Sequence, residues 1–302
     1  MINVLDNIIA LELIIDDLRY GSLSDSKLQP VYIYSIPKNQ DTELSMHHAC
    51  PLWLDTVKES NFTRKRQEEK YLNSFISTIS RRISDRLKIQ PPLDPVHVDY
   101  IYRACSFAVS FSNKYDTWCS LLEKSDFLQL EYLLDLGDYY SYSYGYQLNS
   151  KLACRFFTSF VESVESYLTG RSQVKSTLKF AHAETIMFLA TMLGLYEDNY
   201  PLTADTLPQQ ISSRKFRTSK LVPFTANVYF EIYNCSTRYD ADPTFGTTLI
   251  QLMVNEKPTS NSVITVKDLK FDLHYEQPIK IKNLLTDGHI TINIPKIIFN
   301  SV

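Results

Sequence analysis

Two residues that can do acid–base chemistry, His182 and Glu184, stand where an apolar run ends and a helical pattern begins. Residues 176–181 predict a strand, and the helical face that follows is formed by Phe188, Leu189, Met192 and Leu195. In open α/β sheets, ligands bind beyond the carboxyl ends of strands, and a helix N-terminus there favours an anion. An imidazole at this point can contact an anion, and a first-turn carboxyl group can donate or accept a proton.

Taken alone, the His-Ala-Glu tripeptide favours a simpler interpretation. Glu184 would then be an ordinary first-turn carboxylate, and His182 a strand-end histidine with its hydrogen bonds satisfied. A third interpretation is a zinc deaminase, in which His-x-Glu is followed by Pro-Cys-x-x-Cys. Only Cys235 follows His182 and no Cys-x-x-Cys exists, so the sequence excludes that zinc site. We expect neither a metal nor a cofactor.

Composition narrows the classes of partner. The 302 residues are 44% hydrophobic, which is enough for one large domain or two smaller ones. A net charge of -3 gives no general attraction to nucleic acid, so we expect no nucleic-acid partner. No apolar run approaches the roughly 18 residues that a transmembrane helix needs, so we expect no transmembrane segment. The acidic opening predicts a helix and makes a poor signal peptide, so the protein is either cytosolic or lacks its true N-terminus.

The hydrophobic period changes twice along the chain. Residues 46–172 predict helices throughout; one apolar stripe runs from Leu72 to Leu87, and Asp94-Pro95 begins the next helix. After residue 172 the pattern predicts strands, such as the alternation of Val228, Phe230 and Ile232. We therefore predict a mixed α/β core with an inserted all-helical domain. Its parts are a residual N-terminal part of the core (1–45), the helical insertion (46–172) and the C-terminal part of the core (173–302).

An ordered series of motifs links these regions. It consists of His48-Ala49-Cys50-Pro51, Tyr115-Asp116-Thr117-Trp118-Cys119, Asp135-Leu136-Gly137-Asp138-Tyr139-Tyr140, Tyr144–Ser150, Phe180–Thr185, Tyr200–Ala204, Arg214–Thr218, Leu221–Asn227 and Val254–Lys257. In this order the series resembles the multiple inositol polyphosphate phosphatases, a branch of the histidine acid phosphatases. The resemblance extends from Met46 to Pro258.

The resemblance implies a fold and a reaction. It implies an α/β core, here incomplete, with an inserted helical domain, and hydrolysis of phosphate esters through a phosphohistidine. Glu184 would be the proton donor to the leaving inositol oxygen, and His182 a phosphate contact. The partner would be a small-molecule polyphosphorylated inositol, with neither a metal nor a cofactor.

One motif of that family is missing from these residues. The family's nucleophile is the histidine of Arg-His-Gly-x-Arg-x-Pro, and this chain contains no Arg-His pair. The nearest sequence, Arg19-Tyr20-Gly21-Ser22, predicts only a helix end. The chain is therefore either a truncated or mis-assembled gene product, which the N-terminus favours, or a natural form without catalysis. As supplied we expect it to be inactive, and the alternative function is a non-catalytic phosphatase-like protein that keeps an anion-binding pocket.

A basic cluster offers substrate-binding candidates. Arg214, Lys215 and Arg217, with Lys220 nearby, can meet substrate phosphates, because charge-assisted contacts to phosphate favour arginine. A solvated charged loop explains the same cluster at least as well.

The family also implies a compartment, the endoplasmic reticulum lumen or the cell exterior, although this chain shows no signal peptide. Glycosylation sequons begin at Asn61 and Asn234, in keeping with a glycoprotein. In that compartment we expect disulfide bonds within the set Cys50, Cys105, Cys119 and Cys154, whose pairing the sequence leaves open. Cys235 would be the cysteine left over.

Overall fold

The computed structural model describes residues 33–59, 61–235, 247–265 and 296–301. The helix predicted at the N-terminus and the helix end at Arg19 lie outside these residues. So does most of the predicted strand-rich tail. The statements that follow concern the described ranges.

Helices occupy the chain from Pro51 to Leu168. They are α1 (Pro51–Trp53), which continues as a π-helical segment (Leu54–Glu59); α2 (Phe62–Tyr71), a second π-helical segment (Leu72–Ile76) and α3 (Ser77–Leu87); α4 (Pro95–Ser112); a 3-10 turn (Trp118–Leu121); α5 (Lys124–Tyr142); α6 (Asn149–Leu152); and α7 (Cys154–Leu168). The predicted start at Asp94-Pro95 is confirmed, because the Val96 backbone N–H donates to Asp94 Oδ1 over 2.9 Å as an N-cap.

The long helix α5 forms the centre of this helical part. Leu130, Tyr132 and Leu136 are fully buried. The Tyr132 hydroxyl donates to the Thr203 carbonyl over 2.7 Å, which ties α5 to a loop 71 positions further along the chain. Because α5 is buried along much of its length, its few polar residues face either a partner or a site.

Five strands of the described chain form one mixed sheet. They are β1 (Thr177–Ala181), β2 (Asn227–Cys235), β3 (Thr247–Val254), β4 (Lys257–Thr265) and β5 (Lys296–Ser301), in the order β1-β5-β2-β3-β4. Only the β1–β5 pair is parallel among these neighbours. The strand predicted there is confirmed with Val228, Phe230 and Ile232 buried, but Glu231 between them is buried as well, so the alternation is incomplete.

Helix α7 covers one face of this sheet. The Phe160 ring lies 4.5 Å from the Phe230 ring, measured between centroids, and Phe157 lies 6.0 Å from it. Two short helices, α9 (Pro208–Ser213) and α10 (Thr218–Leu221), precede β2. The predicted mixed α/β class is confirmed, whereas the division into three parts stays a prediction. No helix in the described ranges has the length and apolar character that crossing a membrane requires.

Helix α8 (Ala183–Met192) lies between the sheet and the helical part. The sequence predicts one apolar face, but every residue from 185 to 192 is buried. The difference arises because α8 contacts β5 on one side and α5 and α6 on the other. A helix with neighbours on all sides is buried all round.

One disulfide joins α4 to the 3-10 turn, between Cys105 and Cys119. It belongs to the set within which the sequence predicts pairing. Cys50 and Cys154, the other two members, are free. The prediction of disulfide bonds within this set is therefore confirmed for one pair of cysteines.

Candidate active site

The centre of the candidate site is the junction between β1 and α8. His182 is the N-cap residue of α8 in an extended conformation, with φ -102° and ψ 167°, and Glu184 lies in the first turn. The His182 side chain makes no capping hydrogen bond, so it leaves the first-turn N–H groups of Ala183 and Glu184 uncapped, whereas the Thr185 N–H donates to the His182 carbonyl. Strand β1 therefore delivers an imidazole and a carboxyl group to a helix end that favours anions, as the sequence predicts.

A turn from a distant part of the chain packs on this junction. The Thr185 hydroxyl donates to the Leu44 carbonyl, and Lys179 of β1 forms an ion pair with Glu43. Asp41 Oδ1 accepts the backbone N–H of Leu44 over 2.8 Å, which shapes the turn internally. These bonds bring His47 and His48 to the site.

Four aromatic rings surround His47, which is only 2% exposed. Their centroids lie 4.0 to 5.9 Å from its own and belong to His48, Trp53, Phe188 and Tyr142. Phe188 stands one helical turn after Glu184, so His47 packs beside the α8 N-terminus. Burial lowers the pKa of His47 to about 3, and the neighbouring positive charges of His48 and Lys38 add to this effect. His47 is therefore neutral at ordinary pH.

His48 lies at the edge of the same pocket. Its Nδ1 is 3.2 Å from the Ser45 hydroxyl. Burial lowers the pKa of His48, and the nearby lysines Lys38 and Lys58 lower it further, whereas Glu184 opposes the change. The turn and the π-helical segment Leu54–Glu59 thus form a basic wall, defined by Lys38, His47, His48 and Lys58.

Helices α5 and α2 supply the other wall, which is largely acidic. Burial raises the pKa of Asp138 to about 7, with contributions from the carboxylates of Asp135, Glu184 and Glu68. Burial also raises the pKa of Tyr142, one turn further along α5, to about 12. We define the acidic wall as Glu68, Asp138 and Tyr142. Glu184 is close enough to both walls to influence Asp138 and His48.

Arg64 reaches the acidic wall. Arg64 Nη1 donates to the Ser141 hydroxyl over 3.0 Å, and its Nε lies 3.7 Å from Glu68 Oε2. Although the pair is close, Arg64 Nε is buried and has no hydrogen-bond partner among the described residues. The sequence suggests only an exposed helix face here. For the two walls, the sequence provides only one indication, the family-like motifs that contain His48 and Asp138.

The predicted substrate-binding cluster has partners of its own. The Arg214 side chain is fully buried, and its Nε donates to Asp135 Oδ2 over 2.9 Å. Arg217 forms an ion pair with Glu131, and Lys215 Nζ donates to the Glu197 carbonyl over 2.9 Å. Carboxylates and carbonyl groups of the chain thus take up these donors. Phosphate binding by the three side chains stays a prediction.

Within the described ranges, no group of three or more His, Cys, Asp and Glu side chains is arranged to hold a metal ion. The histidines of the basic wall are brought together by ring packing. What the junction can do with its own residues is bind an anion and transfer a proton.

Comparison with known proteins agrees with the ordered motifs. Residues 11–255 match the model of the histidine phosphatase superfamily, branch 2. The chain is 27% identical over 269 residues to multiple inositol polyphosphate phosphatase 1 of Dictyostelium discoideum, covering 73% of this chain and 42% of that protein. To the human protein of the same name it is 29% identical over 247 residues, covering 78% and 50%. The chain thus spans half or less of the length of each relative.

A solved structure shares the fold. The phytase from D. castellii superposes with a TM-score of 0.62 at 15% identity, covering 78% of this chain and 48% of the phytase chain. This likeness concerns the fold alone and agrees with the predicted mixed α/β class. The family match covers well over half of the chain. The chain belongs to branch 2 of the histidine phosphatase superfamily.

Proposed function

We propose that this chain carries the proton-donating part of a phosphomonoesterase site that acts on inositol polyphosphates. The observation that supports this most directly is the position of Glu184 in the first turn of α8, immediately after β1 and its N-cap His182. Membership of a phosphatase superfamily supports the reaction class. The names of the relatives support the substrate class.

Each residue has a distinct task in this proposal. An alkoxide is a poor leaving group unless a proton arrives as the P–O bond breaks, and Glu184 supplies that proton to the leaving inositol oxygen. His182 and the free N–H groups of α8 contact the phosphate oxygens, where the helix dipole favours negative charge. The basic wall lies on one side of Glu184 and faces the remaining charge of a polyanionic substrate.

A second candidate function is supported by two observations. No Arg-His pair occurs in the 302 residues, so the supplied chain offers no nucleophile of the family type. Asp138 of the acidic wall also lies near Glu184, whereas phosphate binding favours cationic partners. A phosphatase-like protein that binds an anion without hydrolysing it has this combination of features.

The proposed reaction is tested through its leaving groups. Where an Arg-His-Gly-x-Arg segment is encoded in frame upstream of Met1, the protein that includes it should hydrolyse inositol hexakisphosphate. Glu184→Gln should then slow this hydrolysis by roughly 100-fold or more, yet slow p-nitrophenyl phosphate much less, because a weakly basic leaving group needs little protonation. Equal losses on both substrates would contradict the role of Glu184.

The supplied chain separates the two candidate functions. We expect it to release no phosphate from either substrate. Binding of inositol hexakisphosphate by this chain, with no upstream nucleophile segment in the gene, would favour the non-catalytic protein. Phosphate release that Glu184→Ala abolishes would show that a nucleophile outside the family motif is present.

A further inference from the structure

The imidazole of His47 is buried and lacks the hydrogen bonds that such a group normally makes. Its Nδ1 is inaccessible and has no partner, whereas its Nε2, which also has no hydrogen bond within the described residues, keeps some accessible surface and is the nitrogen that a ligand can reach. Most buried polar side-chain atoms in proteins are hydrogen-bonded, and an unsatisfied one costs roughly 1–3 kcal/mol. The exception therefore calls for a partner outside the described chain.

The surroundings prevent His47 from finding a partner by moving. Its ring lies among the rings of Trp53, Phe188 and Tyr142. Trp53 is itself fixed, because its Nε1 donates to Asn149 Oδ1 over 2.9 Å. A polar group that neighbouring residues hold rigidly in one orientation is typical of a preformed binding site.

The charges nearby indicate what the partner would be. His47 lies near His182, whose charged form would lower its pKa, and near two lysines, Lys38 and Lys58. Both lysines are exposed, and neither forms an ion pair within the described part of the chain. A neutral imidazole offers one N–H donor, and two free ammonium groups beside it attract negative charge. This combination suits an oxyanion such as a phosphate group.

We propose that His47 is a phosphate-binding residue of the Glu184 site, donating its Nε2–H to a phosphate oxygen of the substrate. This inference rests on the proposed function. It assigns the basic wall to substrate recognition, with Lys38 and Lys58 as the flanking charges. Because His47 stays neutral, it binds phosphate without adding a charge that titrates at working pH.

The test follows the histidine rings of the supplied chain by ¹⁵N NMR while inorganic phosphate, and then inositol hexakisphosphate, is added. The His47 ring nitrogens should shift with saturation, whereas those of His97, on the outer helix α4, should not. Phosphate binding that leaves the His47 signals unmoved would overturn the proposal, as would no binding at all. A shift with Zn²⁺ but not with phosphate would also overturn it.

Matched variants give a second measurement. His47→Phe keeps the ring but removes both nitrogens, and should weaken binding of inositol hexakisphosphate about 10-fold or more, the loss of one hydrogen bond to a charged group. His97→Phe should leave the affinity unchanged. Because His47→Phe also removes an unsatisfied buried group, its melting temperature should not fall; unchanged affinity with a lower melting temperature would show a purely structural residue.

These outcomes are separate from those of the proposed reaction. If Glu184→Gln slowed hydrolysis of inositol hexakisphosphate and of p-nitrophenyl phosphate equally, Glu184 would lose its role as proton donor. The NMR signals of His47 would be unaffected by that result. Hydrolysis that survives unchanged in His47→Phe, with the same KM, would remove the role of His47 and leave the reaction standing.

Discussion

The hydroxyl of Thr185 donates to the backbone carbonyl of Leu44, across 141 positions of sequence. Thr185 directly follows Glu184 in the sequence, and Leu44 lies shortly before His47 and His48. This hydrogen bond therefore joins the proposed acid to the basic wall. Together with the ion pair between Lys179 and Glu43, it holds the two histidines beside the proposed acid.

Replacing Thr185 should loosen this connection. Thr185→Val keeps the shape but leaves the Leu44 carbonyl without its donor, so the free energy of unfolding should fall by about 1–2 kcal/mol. Thr158→Val is the matched control, because the exposed Thr158 hydroxyl bonds only within its own helix. Chemical denaturation measures both, and equal small effects would show that the bond to Leu44 contributes little.

Arg214 should matter for stability more than its neighbours. Arg214→Met leaves the buried Asp135 carboxylate without its cation, and breaking a buried ion pair typically costs about 3–5 kcal/mol. Arg217→Met and Lys215→Met should each cost below about 1 kcal/mol, since both side chains keep some exposure. Denaturant titration gives the three values.

The Lys215 and Arg217 variants also test the predicted phosphate contacts. If Lys215 or Arg217 binds substrate phosphates, its substitution should weaken inositol hexakisphosphate binding in a chain that remains folded. Unchanged affinity in both folded variants would rule out that role for the two residues.

Asp138 should make stability depend on pH. Its pKa is raised to about 7 in the folded chain from an ordinary value of 3.8, first by burial and then by Asp135 and Glu184. The folded state therefore holds a proton that the unfolded state has released, and stability falls as pH rises from about 4 to 7. Asp138→Asn should remove this loss and be more stable at pH 8 by up to roughly 4 kcal/mol, with the advantage vanishing below about pH 4.

The control for this titration is the exposed carboxyl group of Asp116. Asp116→Asn should follow the wild-type pH dependence within about 0.5 kcal/mol. Thermal unfolding between pH 4 and pH 8 makes the comparison. Parallel curves for the wild type and Asp138→Asn would show that Asp138 is not protonated in the folded chain.

The disulfide between Cys105 and Cys119 should stabilise the helical part. It closes a loop with a sequence separation of 14, for which the expected gain is roughly 3 kcal/mol. Replacing both cysteines with alanine should lower the unfolding free energy by about this amount, whereas the exposed Cys154→Ala should change it by less than about 0.5 kcal/mol.

Thiol counting checks the same bond in protein from an oxidising compartment. The chain has five cysteines, so one disulfide leaves three titratable thiols after denaturation without reductant. Five thiols would show that the bond is absent and would contradict the secretory interpretation.

Local pattern was enough to find the junction of β1 and α8. A short apolar run followed by helical spacing predicts that His182 and Glu184 lie at a junction between a strand and a helix. Such a prediction is possible because the period at which hydrophobic residues recur reflects local backbone geometry. The ordered motifs identified the family, and the change of period predicted the mixed α/β class.

The contacts that these residues make with distant parts of the chain could be found only from the tertiary structure. Nothing near His47 in the sequence shows that it packs beside Phe188, or that Asp138 on α5 lies near Glu184. Nor does the basic run at Arg214 reveal that this side chain turns inward to Asp135, 79 positions away. Helix α8 also became buried on all sides because elements on both sides enclose it.

The sequence by itself therefore determined the family, the fold class and the position of the proposed acid. Only the tertiary structure decided which charges surround that acid and which arginine is buried. The physical reason is range: strand and helix periods arise between residues a few positions apart, whereas burial and electrostatic environment depend on elements more than 40 positions away that meet only in the folded chain.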